Sequence, residues 1–207
     1  MNAEMNITRD EASPFSPPEA YNPPKIDEEI PYESMHNFLQ VLRDEHDEFS
    51  EKVSDFEETI IQIEGGKIDR EIDKQLRTFF EYFDAEIRVH NLKEEKELFP
   101  IISKKMNEEG SHSKGKENFN AIDVLEDEHS QFIQLAAVVF NFFALFSRIP
   151  DETSRMIILD TTISKSKELI ELLKVHIYRE NTIIFTYAHN NLTKEELDYI
   201  QTMSKEA

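Results

Sequence analysis

The sequence predicts an all-α protein: an up-down-up-down four-helix bundle with a short C-terminal helix and a Pro-rich N-terminal arm. Three observations carry this. Apolar residues recur at steps of three and four over four long stretches, the spacing of one face of an α-helix. Glycine is scarce, four in 207 residues, whereas a β-sandwich or barrel of this length needs frequent turn residues. The breaks between stretches are short or moderate, and helices joined in that way pack as antiparallel neighbours.

Residues 1–30 form the arm. They hold five of the eight prolines (Pro14, Pro17, Pro18, Pro23, Pro24) and almost no periodic apolar pattern, so they read as disordered or draped on the surface. Residues 31–207 are the bundle. Its first helix starts near Glu33 with Leu39, Leu42, His46, Phe49, Val53, Phe56 and Ile60 on one stripe, and Gly65-Gly66 ends it. The second begins near Asp69 and aligns Leu76, Phe79, Phe83, Ile87, His90, Glu94 and Leu98. Pro100 disfavours helical geometry at Phe99, which predicts a kink or break there and a last short turn through Met106. Residues 107–120 are polar and read as a loop. The third helix runs from about Ala121 to Arg148, with Ile122, Leu125, His129, Phe132, Ala136, Val139 and Phe143 in line, and Pro150 closes it. The fourth, about Thr153 to His189, aligns Leu169, Leu173, His176, Glu180, Ile183 and Tyr187. Thr193 and Glu196 match a capping box at the start of the short last helix.

Composition bounds the function. With 39% hydrophobic residues the chain can build one sizeable core, and it is too short to expect two domains. A net charge of −20 repels phosphate backbones and anionic lipid, which argues against nucleic acid and membrane partners. The absence of cysteine excludes disulfides, thiolate nucleophiles and Cys-ligated metal sites. No basic segment followed by an apolar run opens the chain, so no secretory signal is expected. The most apolar stretch, Ile133 to Ser147, is shorter than the roughly 20 residues a spanning helix needs. A soluble, cytoplasmic protein is the expectation.

A weak internal duplication carries the chemistry. The first helix reads L-R-D-E-H-D-E-F around His46 and the third reads L-E-D-E-H-S-Q-F around His129, sharing L-x-D-E-H-x-x-F. The second helix supplies His90-x-x-x-Glu94 and the fourth His176-x-x-x-Glu180. Residues four apart on a helix differ by about 40° in direction and about 6 Å in height, so each His and Glu point the same way at different depths. Two such hairpins facing one another build a site of approximate two-fold symmetry, which suggests two metal ions. Six polar groups on apolar stripes read either as separately satisfied core residues or as one cation site, and the second is favoured because burying two carboxylates without a cation costs several kcal/mol each. Neutral imidazole suits iron, copper, zinc and nickel, and a bridging carboxylate favours harder ions. The ligand charge undercompensates such a pair, and a bridging oxide or hydroxide would supply the rest. His36, His112 and His189 fall off the stripe, in a loop or at a helix end, and are not expected as ligands. Tyr187 lies on the ligand stripe, as a core aromatic or as a redox-active phenol.

These segments, with H-N-L-K-E-E-K-E-L-F-P from His90 to Pro100 and H-I-Y-R-E-N from His176, resemble the hemerythrin-like family, the HHE cation-binding domains, over about residues 33–190. The resemblance implies a non-haem di-iron centre, oxo- or hydroxo-bridged, that reacts with O2, NO or peroxide. Its ligands would be His46, His90, Glu94, His129, His176 and Glu180. Two departures from the oxygen-carrying hemerythrins stand out. Ile133 occupies the place of a further His, and H-x-x-x-E replaces H-x-x-x-x-D. The pattern looks closer to bacterial relatives linked to iron–sulfur repair, nitric-oxide response or peroxide handling, although the Cys-bearing segment usual in repair proteins is missing. The expected function is binding or sensing of O2, NO or peroxide. The alternatives are a peroxide-decomposing or iron-centre repair enzyme, and a non-catalytic interaction module. That last reading draws on the Ile133 to Phe146 stretch, whose surplus apolar surface would pack against the arm or form a homodimer interface.

Overall fold

The computed structural model describes residues 30–113 and 118–203, so the arm, apart from Ile30, lies outside the described residues. Among these residues every regular element is helical. A single 3-10 turn, Tyr32–Ser34, leads into α1 (Asn37–Glu64). Gly66, with φ 89°, takes the left-handed conformation that turns the chain after α1. The second long helix follows as α2 (Arg70–Tyr82), α3 (Arg88–Lys93) and α4 (Phe99–Glu109), joined by π-helical turns at Phe83–Ile87 and Glu94–Leu98. Next come α5 (Ala121–Phe146) and α6 (Glu152–Arg179). A third π turn, Glu180–Ile184, carries α6 into α7 (Phe185–Asn191), and α8 (Lys194–Met203) closes the described chain.

Helix starts follow from local chemistry. Asp69 accepts from the N–H groups of Glu71 and Ile72, Asn120 and Asp123 form a capping box, and Asp151 accepts from Ser154 N–H. The capping box expected at Thr193 is present, with Glu196 N–H donating to Thr193 Oγ1 and Thr193 N–H to Glu196 Oε2.

Of the kink or break expected at Phe99, the structure shows no break. The Phe99 N–H reaches back five residues to the Glu94 carbonyl, and α4 continues with Pro100 in its first turn. A proline there removes no needed hydrogen bond, and the widened turn before it absorbs the steric clash. The fourth long helix widens in the same place without a proline, with Phe185 N–H donating to the Glu180 carbonyl.

α1 packs against α2 and α6, and α5 packs against α6 and α4. The core splits into two apolar bodies. One gathers Phe49, Phe56, Phe79, Phe132, Leu169 and their neighbours. The other gathers Leu39, Leu98, Phe99, Ile122, Phe185 and Ile200. Phe56 and Phe79 stack at 3.9 Å between ring centroids in the first. Along α1 the second body comes first, then His46, then the first body, and the other long helices cross the same boundary. The polar residues of interest thus lie in a band between two sealed apolar ends.

α5 is long and apolar enough to cross a membrane by length and composition, and most of that stretch is not buried. Its outer face exposes Ile133, Val138, Phe140 and Leu145.

Candidate metal centre

All six polar residues picked out by the repeat converge. His46, His90, Glu94 and Glu180 form one group and Glu94, His129, His176 and Glu180 another, with ligand atoms in each group lying within 4.8 Å of one another. The two groups share Glu94 and Glu180. Both carboxylates are sealed from solvent, 1% and 0% exposed.

Each imidazole is held by its outer nitrogen. His90 Nδ1 lies 2.5 Å from Glu45 Oε2 and His176 Nδ1 lies 3.0 Å from Glu128 Oε2. His129 Nδ1 lies 2.8 Å from Glu95 Oε1, and His46 Nδ1 lies 2.8 Å from Asn181 Oδ1. These partners accept, so each Nδ1 carries a proton and each Nε2 faces inward, where a neutral ring offers its lone pair. The inward nitrogens then meet in pairs, His46 with His90 at 2.9 Å and His129 with His176 at 3.1 Å. Two nitrogens bound to one ion at about 2.1 Å and near a right angle stand roughly 3.0 Å apart, so each pair fits one cation.

The carboxylates give the stronger indication. None of the four oxygens of Glu94 and Glu180 has a hydrogen-bond partner. His46 and His176 Nε2 approach Glu180 Oε2 to 3.1 and 3.2 Å, and His90 Nε2 approaches Glu94 Oε1 to 3.3 Å, without hydrogen-bond geometry. Buried carboxylates this poorly satisfied are rare unless a cation serves them. The donor set suits metal cations, and each group offers two imidazoles together with Glu94 and Glu180.

Without metal the cluster must carry protons instead. Burial pulls the His90 imidazole down, but the Glu94 and Glu45 carboxylates outweigh it and lift it to about 10. Burial and the neighbouring His176 push His129 the other way. Burial raises the Glu180 carboxyl, yet His176 and His46 hold it well below the usual carboxylate range.

The remaining histidines lie elsewhere. His36 caps α1, its Nδ1 accepting from Phe38 N–H, and its Nε2 meets Asp198 on α8. His112 contacts the Ser113 carbonyl, and His189 sits in the last turn of α7. Tyr187 is a core aromatic whose hydroxyl donates to Glu109 Oε2 at the end of α4, and burial with that carboxylate raises its pKa.

Reasoning from the sequence missed the outer partners Glu45, Glu95, Glu128 and Asn181. The signal was partly legible: Glu45 and Glu128 are the E of both D-E-H segments, and each holds the His of the H-x-x-x-E pair in its own half. Glu95 and Asn181 directly follow Glu94 and Glu180, and each holds the lone His of the opposite half. A longer repeat also exists, H-x-x-x-E-x-x-x-x-F, ending at Phe99 and Phe185.

An all-helical fold around buried imidazole–carboxylate groups suited to cations defines the class. The chain belongs to the hemerythrin family, since the model of the hemerythrin HHE cation binding domain matches residues 37–188. A comparison with curated proteins finds no match.

Proposed function

We propose that the chain holds two non-haem iron ions on His46, His90, Glu94, His129, His176 and Glu180 and uses them to bind or sense O2, NO or peroxide. The observation that carries this is the position of Glu94 and Glu180, each buried, unpartnered and shared by both histidine pairs. An iron pair, when bound, supplies reversible ligand binding and one-electron chemistry. The protein's part is to fix the imidazole tautomers through four outer partners, to hold the Glu180 carboxylate ionised, and to keep bulk water out between two apolar bodies. The same reading takes the four long helices as up-down-up-down, supported by the short connections 65–69 and 147–151.

Metal content with the visible spectrum, on protein expressed with added iron, tests it. About two irons per chain, lost in a His90→Ala/His176→Ala variant, is the expected result. A colourless, folded chain that takes up no metal overturns it. Spectral response to O2, NO and peroxide then separates a binding or sensing protein from an enzyme that turns peroxide over.

The exposed apolar face of α5 favours a second property, pairing with another copy of the chain. Sedimentation of the full chain beside a Phe140→Lys variant tests it: a dimer that dissociates in the variant is expected, and a monomeric wild type rejects it.

A further inference from the structure

At the end of the bundle made by the α1–α2 and α5–α6 turns, a cleft of about 510 Å³ opens between α2 and α5. Its floor is core: Ile63, Ile72 and Leu159 are buried. Its walls are largely aromatic. Phe80 and Phe140 meet edge to face at 5.3 Å, and Phe143 and Phe146 continue down α5 toward the mouth. None of the six residues of the metal cluster lines it. A cleft of this volume, apolar throughout with polar groups gathered at one end, has the build of a small-molecule site.

The polar groups at the mouth are paired, except for cations. Asp69 caps α2, and Asp73 holds Arg77 through two hydrogen bonds. Ser147 Oγ donates to the Ala144 carbonyl. Arg148 also lines the mouth, and its guanidinium has no hydrogen-bond or ion-pair partner among the described residues. Arg155, near the start of α6, lies over the Phe146 ring at 5.8 Å, and its Nε is sealed from solvent with nothing to bond. Buried donors are nearly always paired. The chain has 43 acidic residues against 23 lysines and arginines, so spare carboxylates abound, yet none serves these two arginines. An acid from outside fits where the chain supplies none.

We propose that the cleft binds a small amphipathic carboxylic acid, its acid group on Arg148 and Arg155 and its elongated apolar body along Phe146 and Phe143 toward Phe80 and Phe140. Guanidinium groups match a carboxylate with forked donors. From Phe140 to Arg148 the chain advances about 12 Å at helical rise, which suits an apolar body of roughly ten carbons. The net charge of −20 opposes an anion at long range, but salt screens that field within about 8 Å, and the nearby arginines then decide. The inference does not depend on the metal reading, since the two sites share no residue.

Calorimetric titration of the full chain with decanoate, beside decyltrimethylammonium as a probe of the same body and opposite charge, tests it. Decanoate should saturate one site with a dissociation constant below about 1 mM and bind more tightly than the cation, against the overall field. Arg148→Gln should weaken decanoate about fivefold and leave the cation unaffected or slightly tighter. Ile68→Glu, which sets a negative charge at the lip, should weaken decanoate as well. Both positions are exposed, so the variants should keep the wild-type circular dichroism. No saturable decanoate binding overturns the proposal, and so does a cation that binds as tightly or an unchanged affinity in Arg148→Gln. Phe140 also belongs to the exposed face of α5, so decanoate affinity that falls as protein concentration rises overturns it too, by showing that a second copy covers the cleft.

Discussion

Phe185, five residues after Glu180, lies flat against His46 of the opposite half, with ring centroids 5.2 Å apart and planes 14° from parallel. Phe99, five residues after Glu94, does the same to His129 at 5.6 Å and 23°. The other two imidazoles are met edge-on, His90 by Phe49 and His176 by Phe132, both at 4.9 Å. Each imidazole is therefore clamped by a ring on one side and an acceptor at Nδ1. Phe99 and Phe185 are fully buried, so Phe99→Ala or Phe185→Ala should each cost about 3–5 kcal/mol of stability in the metal-free chain. Urea unfolding measures this, and the Leu variants should lose less because they keep most of the volume.

The acceptors behind the imidazoles set metal affinity. Glu45→Gln and Glu128→Gln should each weaken binding by roughly 10–100-fold, read by competition with a chelator. His46 alone among the four is backed by an amide, that of Asn181. Asn181→Asp should therefore tighten the His46/His90 position, and weaker binding in that variant would contradict the role given to these partners.

Stability of the metal-free chain should depend on pH through the same cluster. His90 is raised from 6.5 to about 10, so its contribution is full below pH 6.5 and fades as pH rises through about 10. Glu180 is held well below 4.5, so its contribution is present above pH 4.5 and is lost as pH falls through the lowered value. His129 is lowered, so it costs the folded chain stability as pH falls below 6.5, and that cost is absent well above it. With EDTA present, the urea midpoint should peak near pH 6.5 and fall on the alkaline side. His90→Gln should flatten that alkaline limb.

Metal must displace the His90 proton to bind. Apparent metal affinity should then climb with pH until about 10, and uptake should release protons that a pH indicator detects. An affinity independent of pH between 7 and 9 would exclude a protonated His90 in the metal-free cluster.

Pro100 is exposed and sits in the first turn of α4. Because the wide turn at Glu180–Ile184 forms with no proline, Pro100→Ala should keep full metal content and shift stability by under about 1 kcal/mol. Loss of metal in this variant would show that the proline, rather than the packing around Glu94, shapes the turn.

Much of this protein can be read along the chain. The three-and-four spacing of apolar residues marks the long helices because a helix in water must hide one face. The six clustered residues stand out because they are polar groups on that hidden face, repeated in two halves. Local chemistry also announces the stops and caps, at Gly66, Asp69, Asn120 and Thr193.

Other features exist only between helices. The widened turns at Glu94 and Glu180 do not follow from proline, since one precedes a proline and the other does not. The partners of each imidazole come from other helices, and whether the residue after a ligand, Glu95 or Asn181, points at a distant histidine depends on how two helices cross. The small cavity beside the imidazoles is a gap among four of them. The sequence by itself determined the helices and the set of buried polar groups, because periodicity and composition act within one element. Tertiary structure alone decided which oxygen faces which nitrogen, because hydrogen bonds and voids are set within a fraction of an ångström by packing that no single helix contains.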